Sequence, residues 1–254
     1  MKLFLIFYLS FIGLLFPEQS KSYTEALELY KNGKYEDSIN LIRQSTQMDK
    51  PTYDLYYLAA HNYWKLNDVK NASDNLYFAM KINPARVEPF IELIKFNYSA
   101  SRFKGALEIC ESGIKKFPNN IELKLQYALI LLRFNKTVSA LDTIENLKNS
   151  YSDDYRPLSV EANIYYQMRN FEKAEISLKW AMTLAPNNPF LNNNLALIYE
   201  GYAIDYLKTG DKEKAKINLD LANSQVQKAI QLDKSKSIIF QENQKRISKS
   251  LQNL

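Results

Sequence analysis

The chain has 254 residues, of which 46% are apolar and 24% are charged. This apolar content is enough to bury a core, which excludes an intrinsically disordered chain. The formal net charge is only +5, and acidic and basic residues are interspersed along the sequence. Because nucleic-acid binders usually concentrate basic residues on one face, we expect no nucleic-acid partner.

The single cysteine, Cys110, and the single histidine, His61, limit the chemistry that the chain can perform. One cysteine forms no intrachain disulfide, and a zinc site needs several ligands, so we expect no metal. The sequence has no Gly-rich phosphate loop, zinc-protease helix motif or nucleophile elbow. No motif surrounds a Cys110–His61 pair, and Cys110 is expected to be a small buried hydrophobe. We therefore predict no catalytic residues, no cofactor and no enzymatic activity.

Residues 1–22 differ in composition from the rest of the chain. Lys2 precedes an apolar run over residues 3–16, and polar residues follow from Pro17 to Ser22. This order is typical of a secretory signal peptide. As a helix, the run would span about 21 Å at 1.5 Å per residue, which is short for the roughly 30 Å of hydrocarbon in a bilayer.

Cleavage of a signal peptide near Ser20-x-Ser22 is the favoured interpretation of this segment. An uncleaved membrane anchor formed by residues 3–16 and a buried first helix are the alternatives. We predict an exported protein of the periplasm or cell envelope. If the segment is retained, it would associate the protein with the membrane.

Short breaks recur along the rest of the chain at one spacing. They fall at Gly33, Asn67, Ser101 and Asn135, and successive positions differ by 34 residues. A small residue follows at a fixed distance and repeats with the same period: Ser38, Ala72, Ala106, Ala140 and Ala174. A period of about 34 residues is typical of proteins that repeat a pair of helices.

Each predicted helix needs a small residue where its partner crosses closely and a bulky residue that fills the remaining space. The first helix of the third pair departs from this pattern, with Ile94 at the small position. In the first helix of each pair the small residues are Ala26, Ala60, Ala128, Ala162 and Ala196. The bulky residues there are Leu29, Tyr63, Leu131, Tyr165 and Tyr199. In the second helices the bulky positions hold Ile42, Leu76, Cys110, Ile144 and Leu178. No single pair can bury its apolar face alone, so the pairs must stack.

Two of the repeats carry the fullest motif. The second repeat has Tyr56, Ala59, Ala60, Tyr63, Ala72, Leu76, Ala79 and Pro84. The fifth repeat has Leu158, Ala162, Tyr165, Phe171, Ala174, Leu178, Ala181 and Pro186. These residues resemble the tetratricopeptide repeat family. The resemblance implies an all-α fold, a right-handed α-α superhelix of about six helix pairs plus a C-terminal helix. It also implies a concave groove that binds peptides or partner helices.

The predicted solenoid covers residues 23–233 and is followed by a C-terminal helix or tail over residues 234–254. Its repeats are expected at about residues 23–50, 53–84, 87–118, 121–152, 155–186 and 189–233. The first repeat departs from the family, with Ser38 and Ser45 where alanine is usual, which suits a polar N-terminal cap. The fourth repeat lacks the closing proline of the family.

The sixth repeat is predicted to be longer than the others. Its break falls at Gly210, and its second helix has Ala215 where the period would place the small residue at position 208. The insertion of seven residues is about two helical turns, which keeps the same faces together. The lengthened hairpin is interpreted as a cap at the end of the stack, with a projecting arm for a partner as the alternative.

The first helices are expected to line the concave groove. The candidate partner-binding residues in the groove are Tyr57, His61, Trp64, Lys95, Tyr98, Asn163, Tyr166 and Asn194. The positions around them include the apolar Leu125, Leu129 and Leu132 and the amide Asn193. Aromatic residues with few charges are typical of surfaces that recognise peptides. Packing between repeats is the alternative role for many of these side chains.

The sequence favours a scaffold that binds other proteins or peptides within a complex of the cell envelope. The alternative is a non-catalytic accessory subunit of an envelope enzyme that builds cell wall or polysaccharide. Fold alone does not separate the two, because repeat folds serve many functions.

Overall fold

The computed structural model describes residues 21–48, 51–234 and 237–254. The predicted signal segment falls almost entirely on residues 1–20, outside the described residues. Thirteen helices and no strand are found in the described ranges. The helices are α1 (Lys21–Lys31), α2 (Tyr35–Met48), α3 (Tyr53–Lys65), α4 (Val69–Ile82), α5 (Glu88–Ser99), α6 (Phe103–Lys116), α7 (Ile121–Arg133), α8 (Thr137–Ser150), α9 (Tyr155–Gln167), α10 (Phe171–Leu184), α11 (Pro189–Lys208), α12 (Lys212–Leu232) and α13 (Ile238–Gln252).

The turn inside each helix pair contains one residue in the left-handed backbone region. These residues recur every 34 positions and then after a step of 41: Gly33, Asn67, Ser101, Asn135, Arg169 and Gly210. Glycine and asparagine tolerate this conformation best, which explains why they mark several of the breaks. The amide that follows each one closes the preceding helix, as in the 2.9 Å bond from Asp68 N–H to the Tyr63 carbonyl. The period of the sequence is therefore the period of this helix-ending turn.

Side-chain caps begin many of the helices. Asp68, Asn120, Asn170 and Asp211 each accept a hydrogen bond from the backbone amide three residues later, at 2.9–3.1 Å. Such caps satisfy amides that have no partner inside the helix. Turn and cap together fix where one helix stops and the next begins.

The small residues expected at the helix crossings are buried. Ala72, Ala106, Ala140 and Ala174 are completely inaccessible to solvent, as is Ser38 at the equivalent position of the first repeat. The Ser38 hydroxyl donates to the Ala26 carbonyl at 2.8 Å and accepts from the Asn62 amide at 2.9 Å. A polar residue is tolerated at this crossing because both of its hydrogen-bonding functions are satisfied.

The chain divides into two compact units, which meet between Ile109 and Cys110 within α6. In the first unit, one core cluster joins α1, α2 and α3 around Leu55 and Leu58, and another joins α3, α4 and α5 around Leu76 and Phe96. In the second unit, one cluster joins α7, α8 and α9, and a larger one runs from Leu158 to Ile247. Each cluster combines residues of adjacent helix pairs, as stacked repeats require.

The last hairpin and the C-terminal helix complete the second unit. Helices α11 and α12 have 20 and 21 residues, whereas α3 to α10 have 12 to 14. Gly201 lets α11 pass close to α10, because a Cβ built at this position would lie 2.6 Å from the Phe171 ring. Helix α13 packs on α12 and also reaches α11, where Phe240 meets Phe190 edge to face at 5.2 Å between ring centroids.

Candidate functional site

A cleft of about 200 Å³ opens between α9 and α11 in the second compact unit. Its polar lining comes from Ser159, Asn163, Tyr166, Gln167 and Asn194. Its apolar lining comes from Ala162, Leu178, Leu197 and Ile198. Three of the residues predicted for the groove, Asn163, Tyr166 and Asn194, are therefore brought together. Ser159 and Gln167 join them one helical turn away on the same face of α9.

The amides of this cleft leave hydrogen-bonding capacity for a ligand. Gln167 donates to the Asn163 Oδ1 at 2.7 Å, which leaves the Asn163 amide donors available. The Asn194 side chain makes no hydrogen bond to another described residue. A side-chain amide has both hydrogen-bond donors and an acceptor. It can therefore bond to the C=O and N–H groups of a peptide main chain. The cleft can thus hold an uncharged polar chain against an apolar floor.

Tyr166 lies at the end of the cleft next to a charged pair from α11 and α13. Burial raises the pKa of the Tyr166 hydroxyl, and the negative charge of Glu200 raises this pKa further. The positive charges of Arg246 and Arg169 lower the same pKa. The hydroxyl therefore stays protonated near neutral pH and serves as a hydrogen-bond donor or acceptor.

A second cleft of about 250 Å³ lies between α7, α9 and α11. Ser159 lines both clefts, so the two adjoin. The apolar lining of the second cleft is Leu125, Leu129, Val160, Phe190 and Leu191. Leu129 was expected in the groove and is half-buried here, whereas Leu125 is only 3% exposed and serves mainly the core.

The charges at the second cleft are already paired. Arg156 forms an ion pair with Asp154 at 2.5 Å and lies 3.7 Å from a Glu122 carboxylate oxygen. The guanidinium holds the pKa of the Asp154 carboxyl below its ordinary value, chiefly through their side-chain hydrogen bond. Two carboxylates therefore surround the one guanidinium of the lining, which is not free to pair with a ligand.

The positions that form both clefts repeat with the 34-residue period. Glu122, Arg156 and Phe190 are equivalent in α7, α9 and α11, as are Leu129, Asn163 and Leu197. Phe190, Gln167 and Leu197 are not among the residues that the sequence predicts for the groove. The period points from Asn163 to Leu197, whereas no predicted groove residue is equivalent to Phe190.

A polar network joins α13 to α11 beside the first cleft. Arg246 donates from Nε to one Glu200 oxygen at 2.8 Å and from Nη2 to the other at 2.6 Å. The Asn243 amide donates to the Asn193 Oδ1 at 2.8 Å, and Arg246 also donates to Asn243. Asn193 was expected to face the groove, but it is 5% exposed and bonded to α13. That expectation was wrong because the C-terminal helix occupies this face of α11.

In the first compact unit, three predicted groove residues form an aromatic row on α3. Tyr57 and His61 meet edge to face at 4.8 Å, and Trp64 stacks on Phe96 of α5 at 4.1 Å between ring centroids. Phe96 is 2% exposed, so one face of the indole ring is used in packing against the core. These side chains are half-buried and combine a packing role with partial exposure.

The remaining predicted residues of this unit lie on α5. Lys95 is exposed and pairs with Glu92 at 3.1 Å. Tyr98 packs edge to face on Phe103 of α6 at 5.2 Å. Burial lowers the pKa of the His61 imidazole, and Lys95 and Lys65 lower it further against an opposing effect of Glu92. The imidazole is therefore neutral at physiological pH.

Other kinds of site find little support in the part of the chain that the structure describes. No group of three or more His, Cys, Asp or Glu side chains there is arranged to hold a metal ion. No helix in the described ranges is both long enough and apolar enough to cross a bilayer. Cys110 is buried and its thiol donates to the Leu123 carbonyl at 3.2 Å, while burial raises its pKa to about 12. This thiol is not a nucleophile near neutral pH.

A family model for the tetratricopeptide repeat matches residues 53–86 and 158–188. The first segment contains α3 and α4, and the second contains most of α9 and all of α10. No curated protein sequence matches the chain.

Solved structures share the fold at low sequence identity. A tetratricopeptide repeat protein from Parabacteroides merdae is 12% identical with a TM-score of 0.61, over 90% of this chain and all of that one. PilF from Pseudomonas aeruginosa is 15% identical with a TM-score of 0.54, over 89% of this chain and 96% of that one. Human IFIT1, solved as a dimer with m7Gppp-AAAA, is 16% identical with a TM-score of 0.62, over 90% of this chain and 55% of that one.

Some of the similar structures belong to much longer chains. This chain spans 42% of one of them and 55% of IFIT1. At these identities the likeness concerns the fold alone. The family match and the helix-pair architecture agree with the motif read from the sequence, and the predicted all-α fold class is confirmed. Two segments of the chain thus match the tetratricopeptide repeat model, and the chain shares the fold of solved tetratricopeptide repeat structures.

Proposed function

We propose that this protein is a non-catalytic, exported scaffold that binds a segment of a partner protein in the α9–α11 cleft, within a complex of the cell envelope. The observation that carries the binding function is the row of amides from Asn163, Gln167 and Asn194 above an apolar floor. The apolar run of residues 3–16 supports the part of the proposal that concerns export.

A protein or peptide partner fits this cleft better than RNA. IFIT1 holds m7Gppp-AAAA, and the fold is therefore compatible with a nucleic-acid ligand in that protein. Phosphate recognition requires cationic groups that are free to bind it. Here the guanidinium groups beside the two clefts, Arg156, Arg169 and Arg246, are each paired with carboxylates. The uncharged amides of the first cleft can instead form hydrogen bonds with the main-chain groups of a peptide.

Site-specific crosslinking in cells would test the binding surface. A photoreactive residue at Gln167 should capture a partner, whereas one at the exposed Asp142 on α8 should not. The partner should then bind the Asn163→Ala/Asn194→Ala variant about tenfold more weakly, since two hydrogen bonds are removed.

The matched control is Asn146→Ala/Asn149→Ala, which removes two exposed amides from α8. This control should bind the partner as tightly as the natural chain. Equal losses in both variants, or identical adducts from Gln167 and Asp142, would contradict the assignment of the cleft. Fractionation that found the full-length chain in the cytosol would contradict export without bearing on the cleft.

A further inference from the structure

The second cleft differs in chemistry from the first, although Ser159 lines both. The first cleft has an amide-rich wall, and the second has a wall of Leu129, Val160 and Phe190. Phe190 is 56% exposed even though it lies in the first turn of α11, next to Pro189. A large aromatic ring so exposed within a concave apolar surface is characteristic of a binding pocket.

The Phe190 ring packs against a buried aromatic residue of α13. Phe240 of α13 is 1% exposed and contacts Phe190 edge to face. A ring supported by a buried neighbour loses little conformational freedom when a ligand covers its other face. Such pre-organised aromatic residues contribute strongly to binding.

An extended ligand can use both clefts at once. A helix satisfies its own main-chain groups, whereas an extended segment presents unpaired N–H and C=O groups to the amides of the first cleft. Its side chains project away from the main chain and can enter an adjoining pocket. The second cleft, at about 250 Å³, has room for one large side chain. Arg156, the one cation among the residues that line this cleft, is already paired with Asp154 and lies near Glu122, which disfavours an acidic residue next to that side chain.

We infer that the α7–α9–α11 cleft takes one large apolar side chain, flanked by neutral or basic residues, from an extended segment whose main chain lies in the α9–α11 cleft. Phe190 determines this preference. The inference rests on the proposed function, because it assigns the class of peptide that the same site recognises.

Selection of random peptides displayed on phage against the immobilised full-length protein tests the inference. The enriched peptides should share one large apolar residue and lack acidic neighbours to it. A synthetic peptide of the enriched sequence should lose about tenfold to hundredfold in affinity when that residue becomes Ala. In the Phe190→Ser protein, the same change in the peptide should cost only a few-fold, because the pocket that distinguishes the residues has lost its wall.

Two further variants separate a lost pocket from a disturbed fold. Leu129→Ser alters the opposite wall on α7 and should reduce the apolar preference as Phe190→Ser does, without touching the Phe240 contact. Ile204→Ser, an exposed position on α11 that lines neither cleft, should keep the full preference. The inference is overturned if the enriched peptides lack an apolar residue, or if their preference for it survives both pocket variants. If no peptide is enriched at all, the proposed function itself fails.

Discussion

Ser101 has a φ of 57° in the turn between α5 and α6, where the first repeat has Gly33 at 76°. A side chain at this backbone conformation is strained, and glycine removes the strain. The change Ser101→Gly should therefore raise the free energy of unfolding by about 0.5–1 kcal/mol, measured by urea denaturation.

The same substitution at an ordinary helical position is the control. Ser112 is exposed within α6, so Ser112→Gly should lower the free energy of unfolding by about 0.5–1 kcal/mol. Opposite signs for the two changes are the expected result. Destabilisation by both would show that Ser101 does not need glycine's conformational freedom.

His61 links the stability of the fold to pH. Because burial lowers its pKa below the ordinary value of 6.5, the unfolded chain binds a proton more readily than the folded chain. This contribution to stability is fully present above pH 6.5 and is lost as the pH falls from there toward the folded-state pKa. We expect the denaturant midpoint to decrease across that window in the natural chain.

His61→Gln should flatten this part of the pH profile, since glutamine does not titrate. The comparison is made between about pH 7.5 and about pH 5, with carboxylates of the chain contributing equally to both profiles. Parallel profiles for the two proteins would assign the pH dependence to other groups. Tyr57 and Phe96 contact the His61 ring, so a charged imidazole at this position would be less hydrated than in the unfolded chain.

At the scale of single elements, a charge pair joins α13 to α11. The Glu200 carboxylate is 11% exposed and is bound in bidentate fashion by Arg246, whose side chain is 51% exposed. Arg246→Met leaves this carboxylate without a cation. We expect a loss of about 1–2 kcal/mol, less than for a fully buried pair because solvent screens the arginine.

Hydrogen exchange localises the effect of this change. Amides of α13 should exchange faster in the Arg246→Met variant, and those of α9 and α10 should not. Lys245→Met removes a neighbouring exposed charge and should leave exchange of α13 unchanged. Unaltered protection of α13 in both variants would mean that Phe240 and Ile247 suffice to hold the helix.

The long hairpin of α11 and α12 illustrates how repeats absorb an insertion. The left-handed residue moves from Arg169 to Gly210, a step of 41 instead of 34. Seven residues are nearly two turns of helix, so Ala196, Ala203 and Ala215 remain on buried faces. Within the lengthened α11, Gly201 packs against the Phe171 ring of α10, so the added length is in contact with the neighbouring repeat.

At the scale of the whole molecule, the side chains that line the two clefts lie mainly on helices rather than in loops. Within the second compact unit, the clefts are formed by positions that recur in α7, α9 and α11. A repeated scaffold thus brings residues 34 positions apart to neighbouring places, and their variation sets the character of each cleft. Glu122, Arg156 and Phe190 show how different the chemistry at one repeated position can become.

The sequence alone determined the repeated part of this protein. The positions of Ala72, Ala106, Ala140 and Ala174 follow from the period, because a helix crossing repeated every 34 residues needs a small residue each time. Asn163 and Asn194 lie on successive first helices but are 31 residues apart, so the period places them about one helical turn from equivalent positions.

Only the tertiary structure decided the contacts that do not follow the 34-residue period. Asn193 is buried because α13 covers it, and neither the spacing of Asn243 nor that of Arg246 belongs to the repeat. One face of the Trp64 ring stacks on Phe96. A helical pattern in the sequence cannot reveal this contact. Periodicity predicts which side of a helix a residue occupies, but burial depends on the particular side chains that neighbouring helices bring to that side.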